Sequence, residues 1–373
     1  MPDDAIWIDT PTGVAEVGKA MSDAPWHAID TESNSMFVYR ERVCLMQINA
    51  GGQLFVIDTL ALEPGPESLA PLAGPLQDRN KPTYVHGGEY DVGCLRRDYS
   101  IQLAGVWDSQ QASSLLGWER TGYGAVVDRV CKVSLSKAYA QYDWATRPLD
   151  PEALRYAIDD VVYLPKVVEE LQKVVAEVDI VEEVAIANAV VENSGWSGGF
   201  DPSGFWRLKG IRELPNQALP TLAALWAWRD DVAKVRNLPP GRTIANDAML
   251  SLAHSAPTNF GSLKKTGLRS WILAEYGESL IALFKQVREQ PGSVPPRPNP
   301  RDMDDSERAR ENRLKDWRRA EAEKRKVPLQ LVLPARSLDY LKQHGAERLN
   351  EVPQLGAKRA ALYGEILKKV CGG

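Results

Sequence analysis

The stretch WHAIDTES, Trp26 to Ser33, decides how the rest of the chain is read. Trp26, Ala28 and Ile29 form an apolar run that ends in Asp30 and Glu32, two residues apart. In a strand, residues i and i+2 point to the same side, so both carboxylates face one spot. Crowded carboxylates repel each other unless a cation lies between them, and hard oxygen ligands suit Mg²⁺ or Mn²⁺. The pair is a candidate metal site. Two later stretches extend it: YVHGGEYDVGCL, which contains Asp91, and LRYAIDDVVYL, which contains Tyr156 and Asp160. The second reads as a helix whose apolar positions are Leu154, Ala157, Ile158, Val161, Val162 and Leu164. Tyr156 and Asp160, four apart, then share one face. One can bind metal while the other positions a water. Asp159 is an alternative to Asp160, which the Tyr-x-x-x-Asp spacing resolves towards Asp160. Each segment alone also has a plainer reading: a solvated strand end, an acid that starts a helix at Asp91, and a half-buried core aromatic at Tyr156.

Working outward, strands are expected over 5 to 9, 26 to 32, 43 to 49, 53 to 58 and 82 to 86, with a short helix ending near residue 21. Mixed α/β structure follows, leading to a long helix that begins at 151 and extends towards Val191. SGWSGGFDPSG, Ser194 to Gly204, is rich in glycine and breaks this pattern. Residues 213 to 290 read as short helices separated by LPPGR, SAPTNFGS and KKTG. PGSVPPRPNPRD, Pro291 to Asp302, is an expected semi-rigid spacer. Beyond it the helical plan repeats: Trp228-Arg229 precedes Pro239, and Trp317-Arg318 precedes Pro328, by the same interval. The expected divisions are 1–205, 206–290, a proline-rich linker at 291–304, and 305–373.

The chain has 373 residues, 44% of them hydrophobic, enough for two or three cored domains. Its net charge of −5 hides a split. Residues 1–200 contain 30 acidic and 15 basic side chains, whereas residues 201–373 contain 20 and 30. A basic half beside an acidic one that handles a polyanion would supply the grip; a solvated helical surface would explain the same bias. Arg308 to Lys326 likewise reads as an ion-paired surface helix or as a phosphate contact. No run approaches the roughly 18 apolar residues of a membrane span. The acidic MPDDAIWIDT lacks a signal pattern. Cys44, Cys94, Cys131 and Cys371 are far apart and read as reduced thiols of a cytoplasmic protein. His27, His86, His254 and His344 show no zinc-ligand spacing. The absence of a Gly-x-x-x-x-Gly-Lys-Ser/Thr loop argues against a nucleotide cofactor.

The order of the three acidic segments, with VCLMQI (Val43 to Ile48), WDSQQASSLLG (Trp107 to Gly117) and DWATRPLD (Asp143 to Asp150) around them, resembles the DEDDy 3′-to-5′ exonucleases, and ribonuclease D in particular. The resemblance covers roughly residues 5 to 175. The two helical copies resemble HRDC domains, the second more closely than the first. This implies an α/β ribonuclease H-like exonuclease domain with a mixed sheet, followed by two small all-α HRDC-type domains. It also implies two divalent ions, Mg²⁺ or Mn²⁺. Asp30 would bridge the ions, Glu32 and Asp160 would complete the water-activating site, Asp91 would hold the second ion, and Tyr156 would orient the water. Ser33 departs from the aromatic residue that many relatives carry there. The implied substrate is RNA with a free 3′ end, such as transfer RNA precursors. Arg147, Arg229, Lys264, Lys265, Arg318, Arg319, Lys358 and Arg359 are the candidate nucleic-acid contacts. Two alternatives stay open: a DNA exonuclease of the same class, and an inactive nucleic-acid-binding protein.

Overall fold

Apolar alternation and its interruptions build a six-stranded mixed sheet in the computed structural model, which describes residues 5–196, 198–298 and 303–372. The strands are β1 (Ala5–Ile8), β2 (His27–Ser33), β3 (Val43–Ala50), β4 (Gln53–Asp58), β5 (Thr83–Val85) and β6 (Val106–Asp108). Their spatial order is β1-β4-β3-β2-β5-β6. The β2–β3 and β3–β4 pairs are antiparallel, whereas β1–β4, β2–β5 and β5–β6 are parallel. Every residue of β3 is buried, as a central strand covered on both faces requires.

The covering helices are α1 (Pro11–Asp23), α2 (Ala70–Leu76), α3 (Glu89–Tyr99), α4 (Ser109–Leu115), α5 (Tyr123–Cys131), α6 (Pro151–Val162), α7 (Leu164–Glu177) and α8 (Val181–Glu192). The expected single helix from 151 towards 191 is three. Pro165 cannot donate to the turn before it, and Asp179 adopts φ 55° ahead of α8. The Asp150 side chain caps α6 by accepting from the Glu152 amide at 2.9 Å. Ala153, Leu154, Ala157 and Ile158 of α6 pack with Leu45 and Val56 of the sheet. Burying Leu154 or Ile158 contributes about 1.5–3 kcal/mol each.

By spatial contact the chain divides into two units. One comprises residues 1–33, 42–197 and 303–373; the other comprises 34–41 and 198–302. The expected divisions at 205 and 304 fall near the changes of unit at 198 and 303, and the units do not divide at 290. The second unit contains α9 (Leu219–Arg236), α10 (Pro240–Thr243), α11 (Asn246–Ser255), α12 (Phe260–Lys264) and α13 (Ser270–Glu289). At 18 and 20 residues, α9 and α13 are longer than the expected short helices. Phe205, Leu222, Leu225, Leu252, Ile272 and Phe284 form its core. Residues 34–41 join it through Tyr39, whose hydroxyl donates to the Asp230 carboxylate at 2.8 Å. Of the proline-rich linker, residues 299–302 lie outside the described residues.

The remaining helices are α14 (Asp305–Arg325), α15 (Leu329–Val332), α16 (Ala335–His344) and α17 (Gly356–Gly372). They pack around Leu314, Val332, Leu338, Leu341, Tyr363 and Leu367. This second copy shares the contact unit of the sheet. Its link to α8 is polar: both carboxylate oxygens of Glu182 accept from the first amides of α17, at 2.6 Å from Ala357 and 2.8 Å from Lys358. Among the described residues, no helix is long and apolar enough to cross a membrane.

Candidate active site

The sheet and α6 bring Asp30, Glu32 and Asp160 together, with one carboxylate oxygen of each within 4.8 Å of the others. Asp30 and Glu32 lie on the same side of β2, and the packed apolar stripe of α6 turns Asp160 towards them. The Asn49 side-chain amide fixes the end of α6 by donating to the Val161 carbonyl at 3.1 Å.

Asp91 arrives from the other side of β2. After β5, Gly87 takes φ 67°, and the amides of Gly87 and Gly88 donate to the Asp108 carboxylate at 3.1 and 2.9 Å. That turn starts α3 and places Asp91 in its first turn, where it accepts a hydrogen bond from the Thr31 hydroxyl. The Asp91 oxygens are not part of the three-carboxylate group.

Burial makes the four acids weak, and repulsion among them adds to this at Asp30, Glu32 and Asp160. Asp30 is pushed well above the usual carboxylate range by burial, then by the charges of Asp91, Asp160 and Glu32. Glu32 is raised to about 9 by burial and by Asp160 and Asp91. Asp160 rises to about 7 through burial, Asp159 and Asp91, and Asp91 to about 6 through burial, opposed by its hydrogen bond from Thr31. Among the described residues, no lysine or arginine contributes a compensating charge at any of the four. An all-oxygen donor set in a half-buried place without a cationic partner fits a hard divalent ion, which would restore the ionised forms.

Tyr156 lies one helical turn before Asp160. Its hydroxyl is held in the neutral form by burial and by the negative charges of Asp160, Glu32 and Asp30. Its ring packs near Trp144 and Tyr139, at centroid distances of 6.1 and 6.2 Å. Tyr139 in turn donates to the Asp150 cap of the same helix at 3.0 Å. His86 is bound through Nδ1 to the Ser109 hydroxyl at 2.8 Å and meets the Tyr123 ring edge-on. Burial lowers it to about 4, so it is a neutral, packed residue.

Sequence reasoning missed Gln47. It lies directly across from Asp30 in the β2–β3 ladder, is fully buried, and neither of its amide atoms has a hydrogen-bond partner among the described residues. Cross-strand neighbours share a face, so this amide adjoins the carboxylates. A polar residue inside the apolar run VCLMQI was the available signal. Thr31 and Tyr123 were also missed. Tyr123 donates to the Asp159 carbonyl at 3.1 Å, and nothing local in the sequence announces that contact.

Several candidate nucleic-acid contacts have protein partners instead. Arg147 forks onto Asp58 at 2.6 and 2.8 Å and also donates to the Cys44 carbonyl. Arg229 is 4% exposed and donates to the Ile244 carbonyl and Asn246. Arg359 is 3% exposed and donates to the carbonyls of Gln330, Leu331, Gln354 and Leu355. Arg229 and Arg359 are corrections: a buried guanidinium satisfying carbonyls is not a surface for phosphate, whereas Arg147 is partly exposed and its guanidinium is engaged by Asp58. Lys358 pairs with Asp179 at 2.8 Å, and the half-buried Arg318 donates to the Leu329 carbonyl at 3.1 Å. Lys264, Lys265 and Arg319 remain exposed, the last within 3.8 Å of Asp316.

The chain is similar to several known proteins. A family model described as 3′-5′ exonuclease matches residues 5–176, and one described as HRDC domain matches residues 218–283, the copy that the sequence reading ranked second. A ribonuclease D of Sphingobium indicum is 30% identical over 298 residues, covering 76% of this chain and 75% of that protein. A ribonuclease D of Gluconacetobacter diazotrophicus is 27% identical over 375 residues, covering 97% and 91%. Among solved structures, Escherichia coli RNase D, described as an exoribonuclease involved in structured RNA processing, has the same fold. It superposes with a TM-score of 0.71 at 23% identity, over 99% of this chain and 98% of that one.

Proposed function

Taking as premise that this chain belongs to the ribonuclease D family of 3′-to-5′ exonucleases, we propose that it is a cytoplasmic exoribonuclease that trims structured RNA precursors, transfer RNA among them, from a free 3′ end. The observation that carries the hydrolytic reading is the convergence of Asp30, Glu32 and Asp160 beside Tyr156. Two divalent ions, Mg²⁺ or Mn²⁺, would be held by Asp30 with Glu32 and Asp160, and by Asp30 with Asp91. Bound ions supply a nucleophilic water at neutral pH and offset the charge that builds on the scissile phosphate and leaving oxygen.

The chain's own groups do the rest. Thr31 fixes the orientation of Asp91. Tyr156, kept protonated, orients the attacking water through its hydroxyl, and the Trp144 and Tyr139 rings restrict where that hydroxyl can be. The Asn49 contact and the Asp150 cap keep α6 in register with β2. Stable placement of these groups is what an electrostatically driven reaction requires.

The test is a gel of 5′-labelled single-stranded RNA with a free 3′-hydroxyl, run beside matched DNA, in Mg²⁺, in Mn²⁺ and in chelator. The expected result is a ladder shortening from the 3′ end, present only with metal, stronger on RNA, and lost in Asp160→Asn. RNA that is retarded on a native gel yet intact under every condition would refute hydrolysis. Equal or faster shortening of DNA would refute the RNA assignment.

A further inference from the structure

Gln47 is a polar side chain where folding alone would favour an apolar one. It is fully buried, and among the described residues neither the nitrogen nor the oxygen of its amide has a hydrogen-bond partner. Methionine has nearly the same length and volume and would fill the place without leaving polar atoms unpaired. Register sets Gln47 directly opposite Asp30. Its neighbours on the same face of β3 both meet α6: Leu45 packs with Leu154, Ala157 and Ile158, and Asn49 donates to the Val161 carbonyl. Gln47, between them, therefore faces the part of α6 that leads to Asp160. It is fully enclosed while Asp30, Glu32 and Asp160 are half-buried, so it borders them on the side away from solvent.

We propose that Gln47 is a positioning residue whose side-chain amide donates to the Asp30 carboxylate and holds it in the orientation that binds divalent ions. This rests on the reading of Asp30 as a metal ligand and adds to it the group that fixes that ligand. Carboxylates that ligate metals are commonly held by a hydrogen bond from behind, and losing that bond weakens the site. An amide supplies the bond without charge. A lysine or arginine in its place would neutralise Asp30 and compete with the cation, and another acid would add to the repulsion Asp30 already meets from Asp91, Asp160 and Glu32. The Thr31 backbone hydrogen-bonds the same carboxylate, which with about four acceptor positions has room for both donors and for cations.

The test uses the full chain and Gln47→Met, which keeps the shape and removes the donor. Mn²⁺ binding is measured by calorimetry without RNA, thermal unfolding is followed in chelator, and kcat and KM are measured on RNA at saturating Mn²⁺. Gln47→Met should have a Tm in chelator equal to or above the parent's, and a Kd for Mn²⁺ raised about tenfold or more. Its kcat should fall by a similar factor, with KM for RNA changed less than about twofold. Gln47→Leu, a second apolar replacement, should behave alike and guards against a poor fit of methionine. A merely structural amide would give the opposite pattern, a lower Tm in chelator with unchanged Mn²⁺ affinity, and that result in both variants would overturn the proposal. Parent-like Mn²⁺ affinity and kcat in a stable Gln47→Met would overturn it too, as would a parent protein that binds no Mn²⁺. A parent that binds Mn²⁺ and leaves RNA intact counts against the exonuclease reading alone, because the calorimetric comparison needs no cleavage.

Discussion

Replacing Asp160 by asparagine should abolish turnover and yet stabilise the metal-free protein, and the sign of that stability change should depend on pH. Asp160 is raised from 3.8 to about 7 by burial and by Asp159 and Asp91. Between those values the folded state binds more protons than the unfolded one, so stability falls as pH rises from about 4 to about 7 and is level above that. At about 1.4 kcal/mol per unit the full penalty would be about 4 kcal/mol. Solvent on the open side of the site and outward rotation of the side chain reduce this to about 1–2 kcal/mol. That corresponds to roughly 2–8 °C in Tm for a unit of this size. The assay is thermal unfolding of parent and Asp160→Asn in chelator across this pH range, then with saturating Mg²⁺ or Mn²⁺. In chelator the variant should match the parent at the acid end and exceed it above about pH 7. With metal the order should invert, because only the parent retains all the ligands. A variant less stable than the parent throughout the chelator series, or a difference independent of pH, would refute the reasoning that repulsion among these carboxylates is relieved by a cation.

Arg359→Ala should act on stability and not on RNA: four carbonyls lose their donor, at a cost of about 1–3 kcal/mol, while the salt dependence of RNA affinity stays as in the parent. A reduced salt slope at unchanged Tm would restore Arg359 as a phosphate contact. Glu182→Gln keeps the size of the side chain but removes its charge from the first turn of α17, so amide hydrogen exchange at Ala357 and Lys358 should accelerate by about fivefold or more. Unchanged exchange there would show that the carboxylate does not fix the helix. The double variant Lys264→Ala with Lys265→Ala should weaken binding to all sequences alike and lower the salt slope by about 2. An unaltered slope would remove this loop from the interface.

The strands were readable because their residues alternate or run apolar between turn residues, and five of the six lie within a residue or two of where the pattern puts them. The breaks after α6 and α7 were not, because the apolar spacing continues through Pro165 and Asp179 and periodicity alone sees one helix. The meeting of Asp30 and Glu32 follows from the two-residue strand period, and that of Asp160 with Tyr156 from the helical one. What no local pattern contains is pairing across the sheet. Gln47 opposite Asp30 and Thr31 against Asp91 depend on register and helix placement. Basic residues were misread for a related reason: a guanidinium that satisfies buried carbonyls and one that faces solvent look alike in sequence, and five donors suit arginine to both.

The two helical copies carry this point into function. In each, a lysine-containing turn precedes the last long helix: Lys264 and Lys265 before α13, and Lys358 at the start of α17. A helix start with free amides and a nearby cation attracts anions. In the second copy that seat is taken by the protein itself, since Glu182 accepts from both amides and Asp179 pairs with Lys358. In the first copy Lys264, Lys265 and Arg269 are exposed. In the second copy the start of α17 is thus an internal joint. The basic excess of the C-terminal half therefore overstates the charge available to a nucleic acid.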